Sequence, residues 1–218
     1  TLSAPRGNLD FAGNFDINCT NVDPTSAGNQ FIHNNGKFRF VAANGADFTP
    51  NNATFFDIDL VKSSGHDFVL KESITILGTL DLTGTNDYWI ASSAGSSGHL
   101  TMTMGDADNQ ATIESNSADR FRPYTHADRD LIITGGSSLK PCRVTGQDWK
   151  WDNYSTASEG IKLANMDFQV AVDTDTGTGN AVKIILTGDC EFDAVTIQSG
   201  DTLDLNGQRM ECSGVFTN

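Results

Sequence analysis

The chain is poor in the features that mark helical, membrane-bound or nucleic-acid-binding proteins. Only 14 of its 218 residues are Lys or Arg, against 28 Asp or Glu, for a formal charge of −14. Nucleic-acid binding draws on a basic face, and none is visible. An anionic bilayer surface would repel the chain, and no apolar run approaches the length of a membrane span. Neither nucleic acid nor membrane is an expected partner. The sequence shows no signal-peptide pattern and opens on Thr1, so the chain reads as processed or as a fragment of something longer. Helical periodicity is nearly absent. Only Ser158–Gln169 could be forced into a helix with Ser158 as its cap, and Gly160 and the alternation from Met166 onward argue for strand or loop there.

Cysteine is scarce and dispersed: Cys19, Cys142, Cys190 and Cys212 form no Cys-x-x-Cys and sit beside no His. That spacing gives a zinc site no support. Buried free thiols are the simplest expectation, with a Cys190–Cys212 disulfide as the alternative should the two stack on successive coils. The chain has no Gly-x-Ser-x-Gly elbow and no P-loop. His33, His66, His99 and His126 are scattered without metal-ligand spacing. The sequence therefore leans away from an enzyme.

What the chain does have is Gly, Ser, Thr and Asn between short alternating runs. Phe56, Ile58 and Leu60 alternate with Asp57 and Asp59; Leu100, Met102 and Met104 alternate with threonines; Met166, Phe168, Val170 and Val172 continue the pattern. Alternation of this kind gives strands with one buried face, and the intervening residues favour turns. Residues 74–84 (Ile-Thr-Ile-Leu-Gly-Thr-Leu-Asp-Leu-Thr-Gly) are echoed by residues 195–207 (Val-Thr-Ile-Gln-Ser-Gly-Asp-Thr-Leu-Asp-Leu-Asn-Gly). A strand–turn–strand unit that buries one face needs a neighbour stacked on it. The expected fold is all-β: a single-stranded right-handed parallel β-helix over residues 1–218, with a β-sandwich or jelly roll as the alternative. At about 20–25 residues per coil the chain would make nine or so coils. Alternation weakens near residues 107–130 and 146–159, which reads as loop insertions of the kind solenoids place on a binding face. The best alternative domain split lies near Ala118–Asp130.

Three clusters carry candidate chemistry. Arg120, Arg122, His126, Asp128 and Asp130 offer an acid/base set beside anion ligands, as a β-elimination would need; the plainer reading is a loop of mutually paired charges. Trp149 and Trp151 would point the same way on a strand, where they could stack on a sugar ring while Asp152, Asn153 and Tyr154 bond its hydroxyls; equally, both indoles could pack inside. Asp173 and Asp175 open an acidic loop with the start of an EF-hand pattern, a calcium candidate that lacks the glycine and glutamate of that loop. Asp106-Ala-Asp108-Asn109 is a weaker one. Apart from Ca2+, no cofactor is expected.

The segment Val195–Gly207, with its echo at Ile74–Gly84, resembles sequences in right-handed β-helix proteins of the pectate-lyase-like type, and the β-helical parts of bacteriophage tail spikes, fibres and other virion surface proteins. The resemblance implies an extracellular or virion-surface scaffold that assembles with copies of itself, often as a trimer, beside other virion proteins, and that often binds or acts on surface glycans. No catalytic residue of a lyase or endoglycosidase maps onto this chain. The expected function is a non-enzymatic virion structural module, with a polysaccharide lyase or glycosidase and a bacterial glycan-binding adhesin as alternatives.

Overall fold

The computed structural model describes residues 2–11, 15–16, 31–41, 46–50, 53–61, 68–83, 89–91, 100–115, 120–124, 131–147, 149–151, 160–174 and 181–218. Among them every element is a strand. The strands fall into successive passes of the chain. The first is β1 (Leu2–Ser3), β2 (Asn8–Phe11) and β3 (Phe15–Asp16). The second is β4 (Phe31–Ile32), β5 (Lys37–Phe40) and β6 (Ala46–Thr49), and the third β7 (Thr54–Phe55), β8 (Asp57–Leu60) and β9 (Phe68–Leu70). The fourth is β10 (Ile74–Ile76), β11 (Thr79–Asp81) and β12 (Trp89–Ala91), and the fifth β13 (Leu100–Met104), β14 (Thr112–Ser115) and β15 (Arg120–Tyr124). The sixth is β16 (Leu131–Gly135), β17 (Cys142–Gly146) and β18 (Trp149–Trp151). In the seventh and eighth, a first strand is followed by one long strand that takes the places of both the middle and the third: β19 (Ile161–Ala164) then β20 (Met166–Thr174), and β21 (Lys183–Leu186) then β22 (Cys190–Thr196). The ninth is β23 (Thr202–Asp204), β24 (Met210–Cys212) and β25 (Phe216–Thr217).

Strands in corresponding positions of successive passes pair with one another; β1 and β4 make a sheet of their own, and so do β3, β6 and β9. The first strands of the third to ninth passes make a seven-stranded sheet, β7 to β23, and the middle strands run through a 13-stranded sheet from β2 onward. The pairing between named strands is parallel throughout. Parallel pairing in chain order is compatible with a β-solenoid. It is incompatible with a sandwich or jelly roll, whose layers are antiparallel. Ser158–Gln169 contributes strand, not helix, over its described part.

Register turns alternation into columns. Leu9, Phe38, Ile58, Leu80, Ile113, Val144, Phe168, Phe192 and Cys212 lie over one another on the middle sheet. Leu100, Leu131, Ile161, Ile184 and Leu203 make a column on the seven-stranded sheet. The two echoing segments are therefore not equivalent. Leu80 belongs to the middle sheet and Leu203 to the first, so the echo is offset by one face of the pass. A strand–turn–strand phrase records the chemistry of a corner, and such corners occur at more than one place in each pass. First strands begin at residues 2, 31, 54, 74, 100, 131, 161, 183 and 202. The uneven separation is absorbed in the corners.

Those corners use left-handed backbone. Asn165 (φ 53°) alone turns the chain from β19 into β20, its N–H bonded to Asp189 O at 3.0 Å. Asparagine tolerates this region better than other residues with a side chain.

Candidate functional site

The clearest concave feature among the described residues is a groove of about 350 Å³ on the outer surface of β20, β22 and β24, lined in part by Asp167, Gln169, Glu191, Asp193, Glu211 and Ser213. Its floor follows from alternation. Phe168, Phe192 and Cys212 turn inward, and Phe168 and Phe192 stack at 4.9 Å with rings 2° from parallel. Their chain neighbours Asp167, Glu191 and Glu211 must then turn outward, in register. Strand spacing of about 4.8 Å sets three carboxyl-bearing residues on adjacent rungs.

Two irregularities shape the groove. Opposite β22, β20 carries one residue too many between Phe168 and Ala171. On the other side, Ser213 N bonds Phe192 O at 3.0 Å and Gly214 N bonds Asp193 O at 2.6 Å. A Cβ on Gly214 would stand 2.6 Å from Asp193 O, so glycine is required for the approach. Bulges re-aim the side chains beside them, and here they surround Asp193, whose Oδ1 accepts from Ser213 Oγ at 3.3 Å.

Cations meet the ends of the acidic column. Arg143 Nε is 3.5 Å from Asp167 Oδ2. Arg209 approaches Asp189 at 3.5 Å and Glu191 at 4.0 Å and pairs closely with Glu211. Gln169 Nε2 donates to Asp167 Oδ2 at 3.1 Å. The arrangement is an acidic column, partly neutralised at its ends by Arg143 and Arg209, whose free oxygens can accept from cationic or hydroxyl-rich groups.

The sequence-based candidates are placed elsewhere. Trp149 and Trp151 do share a face, but it is the interior one: they are 2% and 0% exposed, 5.2 Å apart, and pack on Phe168. Both indoles take the interior packing that the sequence offered as the other reading. A large apolar indole gains more inside the stack than on its surface, and neither ring face is open to a ligand. Asp152, Asn153 and Tyr154 lie outside the described residues, as do His126, Asp128, Asp130 and Asp175. Arg120 and Arg122 lie on β15, with Arg122 in backbone register with Trp89. Asp173 accepts from Gln198 Nε2 at 2.9 Å across one rung.

Asp106 caps its own turn. Its Oδ1 accepts from the N–H groups of Asp108 and Asn109 at 2.8 and 2.7 Å and from Asn109 Nδ2 at 2.9 Å. Burial alone would raise its pKa; the bonds from Asn109 and Asp108 and the charge of Lys140 outweigh it and hold the carboxyl below its ordinary value. Lys140 Nζ bonds Asp108 O. The turn is a structural clasp between the fifth and sixth passes; after Asp106 it enters the 107–130 stretch read as a loop insertion, which also carries β14 and β15.

Cys142, Cys190 and Cys212 are free thiols. Cys190 is in register with Met210, and Cys212 with Phe192, so the alternative disulfide partners are offset along the strand. Cys19 lies outside the described residues.

No protein-family model, no curated protein and no solved structure matches the chain. The groove residues were absent from the sequence-based candidates, although a signal exists. Met166-Asp-Phe168, Cys190-Glu-Phe192 and Met210-Glu-Cys212 each place a sulfur residue, an acid and an inward residue in the same order.

Proposed function

We propose that the chain is a right-handed parallel β-helix that serves as a non-enzymatic structural module of a virion, as a fibre, spike or capsid-decorating element assembled from copies of itself at the particle surface. The observation that supports this most is how the outward polar groups are used. They bond from pass to pass. Arg39 bridges Asp10 and Asp59 on either side at 3.3 and 3.2 Å. Asp57 Oδ1 receives Thr79 N at 2.7 Å, Ser73 Oγ receives Thr101 N at 3.0 Å, and Asp173 Oδ1 receives Gln198 Nε2 at 2.9 Å. Side chains spent on holding rungs together suit a rod whose work is mechanical. Light scattering on the purified chain, with immunogold labelling of particles, tests the reading. An oligomer that decorates particles is expected; a monomer found only in the particle-free fraction would overturn it.

The groove favours one second reading, a glycosidase on the same scaffold. What favours it is that Asp167, Glu191 and Glu211 occupy adjacent rungs, and a pair of neighbouring carboxyls is what such an enzyme uses. Glu191→Gln and Glu211→Gln would each abolish any polysaccharide cleavage on this reading; activity that survives both substitutions would end it. The calcium and glycan-binding expectations belong to the same proposal, and calorimetry with Ca2+ or a glycan array tests each of them.

A further inference from the structure

We propose that Asn206 is a self-modification site, at which the backbone nitrogen of Gly207 attacks the Asn206 side chain and converts it to aspartate and isoaspartate, loosening the ninth pass. This stands independently of the function proposed above.

The chain has three Asn-Gly steps; Asn44-Gly45 lies outside the described residues, and the case rests on the other two, which sit in similar left-handed turns. In the first, His33-Asn34-Asn35-Gly36, Asn34 and Asn35 have φ of 50° and 55°, and Gly36 N closes the turn on His33 O at 2.9 Å. In the second, Leu205-Asn206-Gly207-Gln208, φ is 47° and 77° at the central residues, and Gln208 N closes on Leu205 O at 2.8 Å. The step sits one residue later in the second turn, and that offset decides the chemistry. At Gly36 the attacking nitrogen is the turn's own donor, held against His33 O. Gly36 is buried, and a Cβ there would collide with Pro5 O. At Gly207 the N–H has no acceptor among the described residues, nothing lies within 4 Å of where a Cβ would stand, and both Asn206 and Gly207 are exposed. Asn206 Nδ2 bonds Leu186 O at 3.2 Å, which tethers the amide without covering it.

The step balances with water alone. The Gly207 peptide nitrogen loses its proton to solvent and bonds to Asn206 Cγ. The Cγ–Nδ2 bond breaks and ammonia leaves, giving a five-membered imide. Water then opens the ring at one carbonyl to give aspartate or at the other to give isoaspartate. Both products lose the donor to Leu186 O and set a carboxylate beside Asp204, whose Oδ1 accepts from the residue-206 N–H at 2.9 Å. Isoaspartate also adds a carbon to the main chain between β23 and β24, which disturbs the register of Met210 with Cys190.

The test incubates the intact folded chain at mildly alkaline pH, with the same chain unfolded in guanidinium as reference. Conversion at Asn35-Gly36 and at Asn206-Gly207 is followed by mass spectrometry and isoaspartyl methyltransferase labelling of the separated peptides that carry them. In the unfolded chain both steps convert. In the folded chain Asn206 keeps most of its unfolded rate, while Asn35 falls by about tenfold or more, since structure protects a group in proportion to how rarely it opens. Equal folded rates at the two sites, fast or slow, would overturn the assignment. Asn206→Asp should speed hydrogen exchange over residues 202–217 relative to 183–196, and unchanged exchange would overturn the loosening.

Discussion

The first passes and the last passes obey the same alternation and pack differently. Around β2, β4, β5, β6 and β7 the interior is built from phenylalanine. Phe31, Phe38, Phe48 and Phe55 meet with ring centroids 4.9–5.4 Å apart, and Phe40 lies 4.9 Å from Phe48. Around β21 to β25 the interior is mainly aliphatic and sulfur-bearing, with Phe192 as a buried aromatic: Ile184, Leu186, Cys190 and Val195 are buried with it, while Leu203, Met210 and Cys212 are half-covered. Outside, the contrast is in charge. Asp10, Arg39 and Asp59 alternate in sign up their column; Asp167, Glu191 and Glu211 repeat one sign. Inward columns are selected for shape, whereas the sign order of outward columns is free to differ from region to region.

Removing core volume should separate the regions most. Phe38→Ala is expected to cost about 3–5 kcal/mol, the range for a buried aromatic. Leu203→Ala, on a half-covered residue, should cost less than the ~2–5 kcal/mol typical of a buried leucine. Urea midpoints compare them, and equal losses would erase the contrast. The charge columns come next. Arg39→Ala removes the cation between two acids and should destabilise by ~1 kcal/mol or less, given partial exposure. Glu191→Gln should stabilise by a few tenths of a kcal/mol, because like charges on adjacent rungs repel, and raised salt should shrink both effects.

A pH effect belongs to the first region alone. His33 Nδ1 accepts Asn35 N at 3.0 Å, so the ring is neutral there, and burial holds its pKa below 6.5. A lowered histidine pKa means the folded state takes up a proton less readily than the unfolded one. Its contribution is full above pH 6.5 and is lost as pH falls through the folded value. His33→Gln should flatten that slope in hydrogen exchange at residues 33–37 and leave residues 205–212 unchanged. Thiol labelling gives the smallest effect. Burial pushes the Cys190 thiol up to about 12 and the Cys142 thiol higher still. Among Cys142, Cys190 and Cys212, Cys212 should therefore label first and Cys142 last. The reverse order would mean that the ninth pass is the better packed.

Strands were legible because Ile58, Leu60, Met102 and Phe168 each alternate with polar neighbours, and that pattern depends only on the pleat. The absence of helix was legible for the same reason. Correct stacking was not. Leu80 and Leu203 look alike in sequence and lie on different sheets, because pass lengths vary and the corners absorb the difference. Trp149 and Trp151 were seen to share a face, yet period two says nothing of which face is inside. The groove escaped because Asp167, Glu191 and Glu211 are separated by 24 and 20 residues and meet only through register.

The sequence by itself determined that this protein is built of short one-sided strands joined by Asn- and Gly-bearing turns, since pleat and left-handed corner are local properties of the backbone. Which residue lies over which, which tryptophan face is covered, and which acids share a column were decided only in three dimensions. Those outcomes depend on how each pass closes on the last, and no local stretch of chain carries that information.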